Sequence, residues 1–325
     1  MNTLDIIGSL RYDNSNLYAD NLSPKLAASW KPVSDLTLRA SIGTGYKSPD
    51  FEQLYLNWTN TTEGYTVLGA KFVDDGLKQL AASGQISDSI IKNIHVNPLQ
   101  PEKSIAFDIG GTYSSNDFYE IRINIFRNNI TNLIDFLRLA VKSNGQNLDT
   151  YTNVSKMLSQ GAEIKLRVNP LKYFAVDISY QYLETADDNV VDSIKSGKII
   201  TRDVNNVERK MTLADYGGLF NRSKHSGVIK FIYSNEELGL ISSLRSIFRG
   251  KYGLADANGN LILDDPREYA PGYAIWNFTV SKQLIKYFII QGGIDNIFNK
   301  KGPNTQFITP GTTVFVNLTF NYNLD

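Results

Sequence analysis

The sequence predicts an all-β protein, an antiparallel transmembrane β-barrel of about 12 strands. Segments that could form strands alternate polar with apolar residues: in the last one, Val314, Val316 and Leu318 share one face, while Asn317 and Thr319 share the other. Side chains of a strand point to opposite faces with a period of two, so each segment has an apolar and a polar face. Short turns and long loops alternate between the segments, as in outer-membrane barrels. The 18 tyrosines and 16 phenylalanines suffice for aromatic girdles at two membrane interfaces.

Each predicted strand is one alternating segment bounded by turn residues. The strands cover residues 4–12, 22–32, 36–47, 101–114, 118–130, 151–169, 173–184, 222–234, 238–250, 269–284, 287–299 and 311–322. Tight turns are predicted at 32–35, 115–117, 170–172, 235–237 and 285–286. The other connections are longer and are expected to face outside the cell: 48–100, 131–150, 185–221, 251–268 and 300–310. Leu77, Leu80 and Ala81 recur at helical spacing, which predicts a short helix within 74–94.

The composition excludes several classes of protein. The 33 Lys and Arg balance the 33 Asp and Glu, which argues against a nucleic-acid partner. There is no cysteine, so disulfides and cysteine-ligated metals are excluded. The sequence contains no run of eighteen apolar residues, so no transmembrane helix is predicted. Two histidines, without a Ser–His–Asp order, a phosphate loop or a paired metal motif, predict a protein that is not an enzyme and that has no cofactor and no metal site.

A soluble, lipocalin-like barrel is the alternative, because its strands also alternate, with the apolar face inward. Such barrels have about eight strands and short loops at both ends. The larger number of strands, and aromatic residues near strand ends such as Trp30, Tyr269 and Trp276, favour the membrane interpretation. The sequence from residue 1 to residue 5 shows neither the basic region nor the apolar region of a secretory signal peptide. The chain is therefore expected to be the later part of a longer precursor, or else the membrane interpretation is wrong.

Six motifs carry a resemblance to a known family: Leu22–Leu26, Gly43–Tyr55, Asn97–Ser104, Phe126–Asp135, Gly161–Glu163 and Gly292–Phe298. In these motifs the chain resembles the barrel of TonB-dependent outer-membrane receptors, above all the cobalamin, siderophore and haem group. Their order matches the later strands of that barrel, and the resemblance covers essentially all of residues 1–325 as one partial barrel domain. The resemblance implies a protein of the Gram-negative-type outer membrane that takes up an iron chelate, either a siderophore or haem.

Family members begin with a plug domain, absent here, and their barrels have about 22 strands. The expected partners are outer-membrane lipid, an iron chelate from outside the cell, the missing plug and N-terminal strands, and, only in an intact receptor, TonB. An open sheet in lipid leaves unpaired backbone groups on two edges. The chain is therefore expected to pair with the missing half, to close on itself, or to fail to insert. The alternatives are a self-closed pore or scaffold and a cobalamin receptor.

Five residues are candidate ligand contacts, by the resemblance and by their place next to the longest loop: Tyr46, Lys47, Tyr55, Trp58 and His95. Haem receptors of the family use a histidine between the two boxes at Tyr46–Pro49 and Asn97–Glu102 as an axial ligand, and imidazole suits haem iron. His95 lies close to the second box, so an exposed loop histidine is the alternative. The boxes themselves are alternatively strand-end anchors, because proline fixes φ and removes a donor.

Charged residues on the polar faces are predicted to line the barrel lumen: Arg39, Arg122, Arg127, Glu163, Lys165, Arg167 and Lys230. They are expected to pair with one another and with the plug, or to form an electropositive path for an anionic chelate. The segment Asp256–Asp265 faintly resembles a calcium loop, but its glycine falls two places early. A tight turn at 258–259 is the favoured interpretation there.

Overall fold

The computed structural model of the chain is dominated by one antiparallel sheet of 12 strands. It describes residues 3–320 apart from 19, 63, 88–95, 116, 154–155, 203–206, 255, 258–259, 261, 286 and 303–309. None of the helices in these ranges combines the length and the apolar character that crossing a membrane requires.

The strands in chain order are β1 (Thr3–Asp13), β2 (Asn21–Val33), β3 (Leu36–Lys47), β4 (Asn57–Asn60), β5 (Tyr65–Leu68), β6 (Glu102–Ser115), β7 (Tyr119–Thr131), β8 (Ile134–Val141), β9 (Asn147–Asn153), β10 (Met157–Leu171), β11 (Phe174–Asp187), β12 (Ile200–Arg202), β13 (Glu208–Lys210), β14 (His225–Asn235), β15 (Leu240–Arg249), β16 (Tyr252–Gly253), β17 (Tyr269–Ala270), β18 (Tyr273–Ile285), β19 (Phe288–Asp295) and β20 (Thr313–Phe320). The helices are α1 (Phe51–Tyr55), α2 (Val73–Ala82) and α3 (Asp188–Lys195), with a 3₁₀ turn at Pro266–Glu268. The large sheet has the order β1-β2-β3-β6-β7-β10-β11-β14-β15-β18-β19-β20.

The register confirms the alternation, because neighbouring rows of residues in the middle of the sheet are apolar and polar in turn. One row runs through Ile6, Ala28, Ala40, Ile109, Ile125, Ala162 and Tyr182. The next row, on the opposite face, runs through Asp5, Ser29, Arg39, Gly110, Asn124, Glu163 and Gln181. We call the two sides the apolar face and the polar face. The apolar face is exposed: Ile6, Ile109 and Ile125 are all more than half accessible.

The sheet has two open edges among the described residues. β1 pairs only with β2, and β20 pairs only with β19. The two edge strands lie at opposite ends of the strand order and do not pair with each other.

Hydrophobic cores lie in the long loops and not in the large sheet. The connections β3–β6 and β7–β10 fold together as a first loop module, whose four-stranded sheet has the order β4-β5-β9-β8. It contains two buried apolar clusters, one around Leu54, Val67 and Tyr151 and one around Leu68 and Leu148. A second loop module, from the connections β11–β14 and β15–β18, has a third cluster of Ile194, Met211 and Tyr216.

All twelve predicted strands and the predicted helix are present, the helix as α2. Three boundaries are wrong. Residues 151–153 belong to β9 in the loop module, and the barrel strand starts at Met157. Residues 269–270 form β17, and the barrel strand starts at Tyr273, while β19 ends at Asp295 and not at 299. The placement of Arg127 on the polar face is also wrong, because Arg127 pairs with Phe107 in a row of the apolar face. β7 continues beyond its apolar stretch toward the loops, where polar residues take both faces. The predicted turn at 258–259 lies outside the described residues.

Candidate functional site at the loop mouth

The first loop module stands on the loop ends of β3 and β6. Asp50 caps the start of α1: its carboxylate accepts the Gln53 N–H at 2.8 Å, while the Gln53 side chain accepts the Asp50 N–H at 3.0 Å. This reciprocal cap fixes the start of a helix of only five residues. The helix therefore holds Tyr55 in a defined position above the strand ends.

Two hydrogen-bonded contacts fasten the module to the sheet. Glu102 accepts the Ile134 N–H at 3.0 Å and lies 3.4 Å from the Lys47 Nζ, so it joins β3, β6 and β8. Asn153 donates to the backbone oxygens of Gln100 at 2.8 Å and Asn132 at 2.6 Å. These contacts give Lys47 and Glu102 an anchoring role, while direct ligand contact by Lys47 stays a prediction.

Aromatic side chains of the module remain accessible. Phe51 is 84% exposed, and its ring lies 6.3 Å from that of Tyr55. The Lys71 Nζ lies 5.7 Å from the centre of the Tyr55 ring. Trp58 is half exposed and packs edge-on against Tyr65 at 5.6 Å. Rings with one bare face and a neighbouring cation form a surface suited to a planar or aromatic ligand.

Tyr18, in the β1–β2 connection, is a residue that the sequence reasoning missed. Its hydroxyl is buried and has no hydrogen-bond partner among the described residues. Burial, together with the neighbouring hydroxyls of Tyr55 and Tyr46, raises the pKa of Tyr18. The structure thus brings Tyr46 and Tyr55, both predicted site residues, within electrostatic range of a third tyrosine. We call Tyr18, Tyr46 and Tyr55 the tyrosine mouth. No local pattern marks Tyr18, because only the fold brings it to the other two.

Tyr151 is the buried counterpart of these exposed rings. The centre of its ring lies 4.8 Å from that of Phe136, and the two rings are tilted by 33°. Burial, with the carboxylates of Glu52 and Asp50 nearby, raises the pKa of Tyr151 to about 12. Tyr151 therefore stays neutral at physiological pH and serves as a core residue that supports α1.

The remaining predicted site residues are placed as follows. Tyr46 pairs with Lys103 in a row of the apolar face, and Lys47 pairs with Glu102 on the polar face. His95 lies outside the described residues. The register puts the six residues still predicted for the lumen on the polar face: Arg39, Arg122, Glu163, Lys165, Arg167 and Lys230. Arg167 forms a bidentate pair with Asp177 at 2.7 and 2.8 Å.

Lys142 is a buried cation in the first loop module, and its replacement is a test of that module. Its side chain donates to the Gln85 Oε1 at 3.0 Å, and burial lowers the pKa of the ammonium. No carboxylate pairs with it among the described residues. We expect Lys142→Met to leave the module at least as stable as before, because an apolar side chain removes the cost of burying the charge. Slower proteolysis of the β8–β9 hairpin would show this; faster cleavage than in the matched variant Lys78→Met, on exposed α2, would contradict it.

The second loop module is organised by one carboxylate. Glu268, 1% exposed, accepts the backbone N–H groups of Ala257, Asp264 and Asp265 at 3.1, 2.8 and 2.9 Å. Hydrogen bonds from Arg267 lower the pKa of Asp265 to about 2. No cluster of three or more metal-ligating side chains occurs in the described part of the chain, and calcium binding at 256–265 gains no support.

Comparison with known proteins supplies the family. The model of the family described as TonB dependent receptor-like, beta-barrel, matches residues 1–297. None of the curated proteins compared with the chain matches it.

Several solved structures share the fold. The siderophore receptor PirA from Pseudomonas aeruginosa is 16% identical with a TM-score of 0.63, over 98% of this chain and 45% of that one. A variant of the ferric enterobactin receptor PfeA from the same organism, in complex with enterobactin, is 18% identical with a TM-score of 0.65, over 98% and 43%. The copper transporter OprC is 13% identical with a TM-score of 0.62, over 94% and 40%. The chain therefore spans less than half the length of these proteins.

The exposed apolar face, the tight turns opposite long loops, and the match over residues 1–297 agree with one another. The chain belongs to the TonB-dependent receptor β-barrel family, whose members are outer-membrane receptors and transporters.

Proposed function

We propose that the chain is part of an outer-membrane receptor barrel that takes up an iron chelate. The observation that carries this proposal is the likeness of the whole sheet to siderophore receptors, within a family shown by the match over residues 1–297. The tyrosine mouth supports it, because phenol hydroxyls and ring faces suit the oxygen-rich, often aromatic surface of a chelated iron.

In this proposal the apolar face meets the hydrocarbon of the membrane and the polar face lines the lumen. The long loops then lie outside the cell, and the tight turns lie in the periplasm. Unpaired N–H and C=O groups on the open edges of β1 and β20 would cost several kcal/mol each in hydrocarbon. Further strands are therefore proposed to pair with both edges and to complete the barrel. A self-closed pore is less favoured, because the described residues of β1 and β20 do not pair with each other.

Charge on the polar face supports an occupied lumen. Arg122 and Lys165 lie directly opposite each other, and like charges in that position repel. Arg122 contacts the Glu120 carboxylate at 2.7 Å. We propose that carboxylates of a plug domain supply the additional negative charge, with the path for an anionic chelate as the alternative use of the same residues.

Tyr55→Phe tests the tyrosine mouth, because Tyr55 is the most exposed of the three residues and the Tyr18 hydroxyl is buried. If the Tyr55 hydroxyl donates to the chelate, we expect binding to weaken by about fivefold to tenfold, since one hydrogen bond is worth about 1 kcal/mol. The measurement is the affinity of the intact receptor for the ferric siderophore. The matched variant is Tyr216→Phe, whose hydroxyl meets the Asp187 N–H at 3.1 Å in the second loop module. Equal affinities for the wild type and Tyr55→Phe would remove Tyr55 from the site.

Ligand identity is tested in cells, where copper is the second candidate because OprC also shares the fold. We expect deletion of the gene to abolish uptake of radioactive iron supplied as a siderophore and to leave copper uptake unchanged. Complementation with the intact gene should restore iron uptake. Loss of copper uptake alone would overturn the iron proposal, and loss of haem-dependent growth alone would move the ligand to haem and direct attention to His95.

A further inference from the structure

The apolar face carries a groove of about 800 Å³ that crosses six strands, from β2 to β11. Its two walls are neighbouring rows of the apolar face. The lower wall is the row of Ala28, Ala40, Ile109, Ile125, Ala162 and Tyr182; the upper wall is the row of Leu26, Ile42, Phe107, Arg127, Gln160 and Glu184. The floor is the backbone between them, at Ser41, Asp108, Phe126 and Gly161.

The groove is open because small residues interrupt the lower wall. Ala28 and Ala40 face each other on β2 and β3, and Ala162 follows on β10. Five strand spacings make it about 24 Å long. An extended acyl chain has comparable length and matches the apolar lining.

One end of the groove is apolar and the other is polar. Leu26 and Ala28 lie at the β2 end, whereas Arg127, Gln160 and Glu184 lie at the β7–β11 end. Strands of membrane barrels are tilted, so a row that follows the hydrogen bonds rises through the bilayer. The polar end is the upper one, because Glu184 lies close to the loop end of β11 at Asp187, while Leu26 lies in the middle of β2. An amphiphile therefore fits with its tail toward the bilayer centre and its head group toward the loops.

The polar end is a connected set of hydrogen bonds. Arg127 donates to the Asn129 Oδ1 at 3.2 Å and to the Gln160 Oε1 at 3.3 Å. Gln160 donates to the Glu184 Oε2 at 3.0 Å, and the Tyr182 hydroxyl donates to the other oxygen of Glu184. Among the described residues the Arg127 guanidinium thus meets amide oxygens and no carboxylate, and its charge is left for an anion. Glu184 remains an acceptor for hydroxyl groups.

We propose that this groove binds an acylated, phosphorylated sugar lipid of the leaflet next to the long loops. The acyl chain fills the groove, the phosphate meets Arg127 in a charge-assisted hydrogen bond, and a sugar hydroxyl donates to Glu184. This site rests on the proposed membrane orientation and is separate from the tyrosine mouth. The balance of one cation and one acceptor selects a head group that carries both an anion and hydroxyls.

The test is a lipid titration of the protein purified from outer membranes in mild detergent, read by native mass spectrometry. The probes are lipid A with one phosphate and the same lipid without phosphate. We expect the wild type to bind the phosphorylated form about tenfold more tightly, the effect of one charge-assisted hydrogen bond. Arg127→Gln should erase that preference. Arg122→Gln, a matched change on the polar face of the same strand, should preserve it.

Filling the groove tests the acyl chain independently of charge. The double variant Ala40→Leu and Ala162→Leu should weaken binding of both lipids about tenfold, whereas Ala106→Leu on the polar face should not. Equal binding of the two lipids by the wild type, or equal effects of the two arginine variants, would overturn the proposal. After such a negative result, the location of the protein separates the two proposals. If the chain also fails to fractionate with outer membranes, the proposed function is wrong as well. If it fractionates with outer membranes and iron uptake is intact, only the lipid site is wrong.

Discussion

Ile123→Arg is expected to destabilise the protein in a bilayer by about 2–4 kcal/mol, the cost of an arginine on the lipid face near the membrane midplane. Ile123 lies in the middle of the apolar stretch of β7 and is 48% exposed on the apolar face. In the proposed orientation the new guanidinium enters hydrocarbon and loses its hydration. The measurement is the free energy of unfolding in lipid vesicles, from denaturant titration monitored by tryptophan fluorescence.

The matched variant is Asn124→Arg, one residue along the same strand. Asn124 faces Gly110 and Glu163 on the polar face, where an arginine stays hydrated and gains a nearby carboxylate. We expect a change below about 1 kcal/mol there. A reversed order, with Asn124→Arg the more damaging variant, would show that the apolar face is turned inward, as in a soluble barrel. That single result would remove the membrane orientation, and the lipid groove with it.

Glu268→Ala is expected to cost about 3 kcal/mol or more of local stability in the second loop module. The carboxylate accepts three backbone N–H groups, and alanine leaves these buried donors without partners. Hydrogen exchange of the Asp264 and Asp265 amides should accelerate by two orders of magnitude or more, following about 1.4 kcal/mol per factor of ten. Glu268→Gln retains one oxygen acceptor and should lose about half as much.

An exposed glutamate provides the control for this effect. Glu237 pairs with Lys172 at 3.2 Å, and both side chains are more than 70% accessible. Pairs of this kind contribute between 0 and about 1 kcal/mol, so Glu237→Ala should leave amide exchange in the loop module unchanged. Unchanged exchange at Asp264 in Glu268→Ala would mean that the loop is held by its apolar contacts instead.

The barrel strands could be predicted because their signal is local. Each strand carries its own alternation, and the turns are marked by residues that tolerate unusual backbone angles, such as Asp117 at φ 58° and Gly239 at φ 56°. The loop modules could not be predicted in the same way. β4 and β5 have four residues each, too few for a period to be recognised, and β5 pairs in parallel with β9 across a whole hairpin. Among the helices and strands of the first loop module, only α2, with ten residues, was long enough for its periodicity to be recognised in the sequence.

The site was predictable only in part, for a related reason. Tyr46 and Tyr55 belong to a family motif, Trp58 was chosen for its place in the longest loop, and all three lie in or beside the first loop module. Tyr18 joins them through the fold, and no motif contains it. Arg127 shows the opposite failure: alternation predicted a lumen residue, but the row of Phe107 and Gln160 places it at the outer surface. Charge near the loop end of a strand is therefore weak evidence for the face on which it lies.

The parallel pairing of β5 with β9 constrains the order in which the polypeptide acquires its shape. Thr66 meets Leu148 only after the intervening β6–β7 hairpin has brought the two loops to the same rim. Contacts between such distant positions carry a large closure entropy and form late. The first loop module is thus the last part to fold and the first part to unfold when the protein is destabilised. A receptor whose loop module unfolds before its barrel strands would lose ligand binding while its transmembrane strands still resist denaturation.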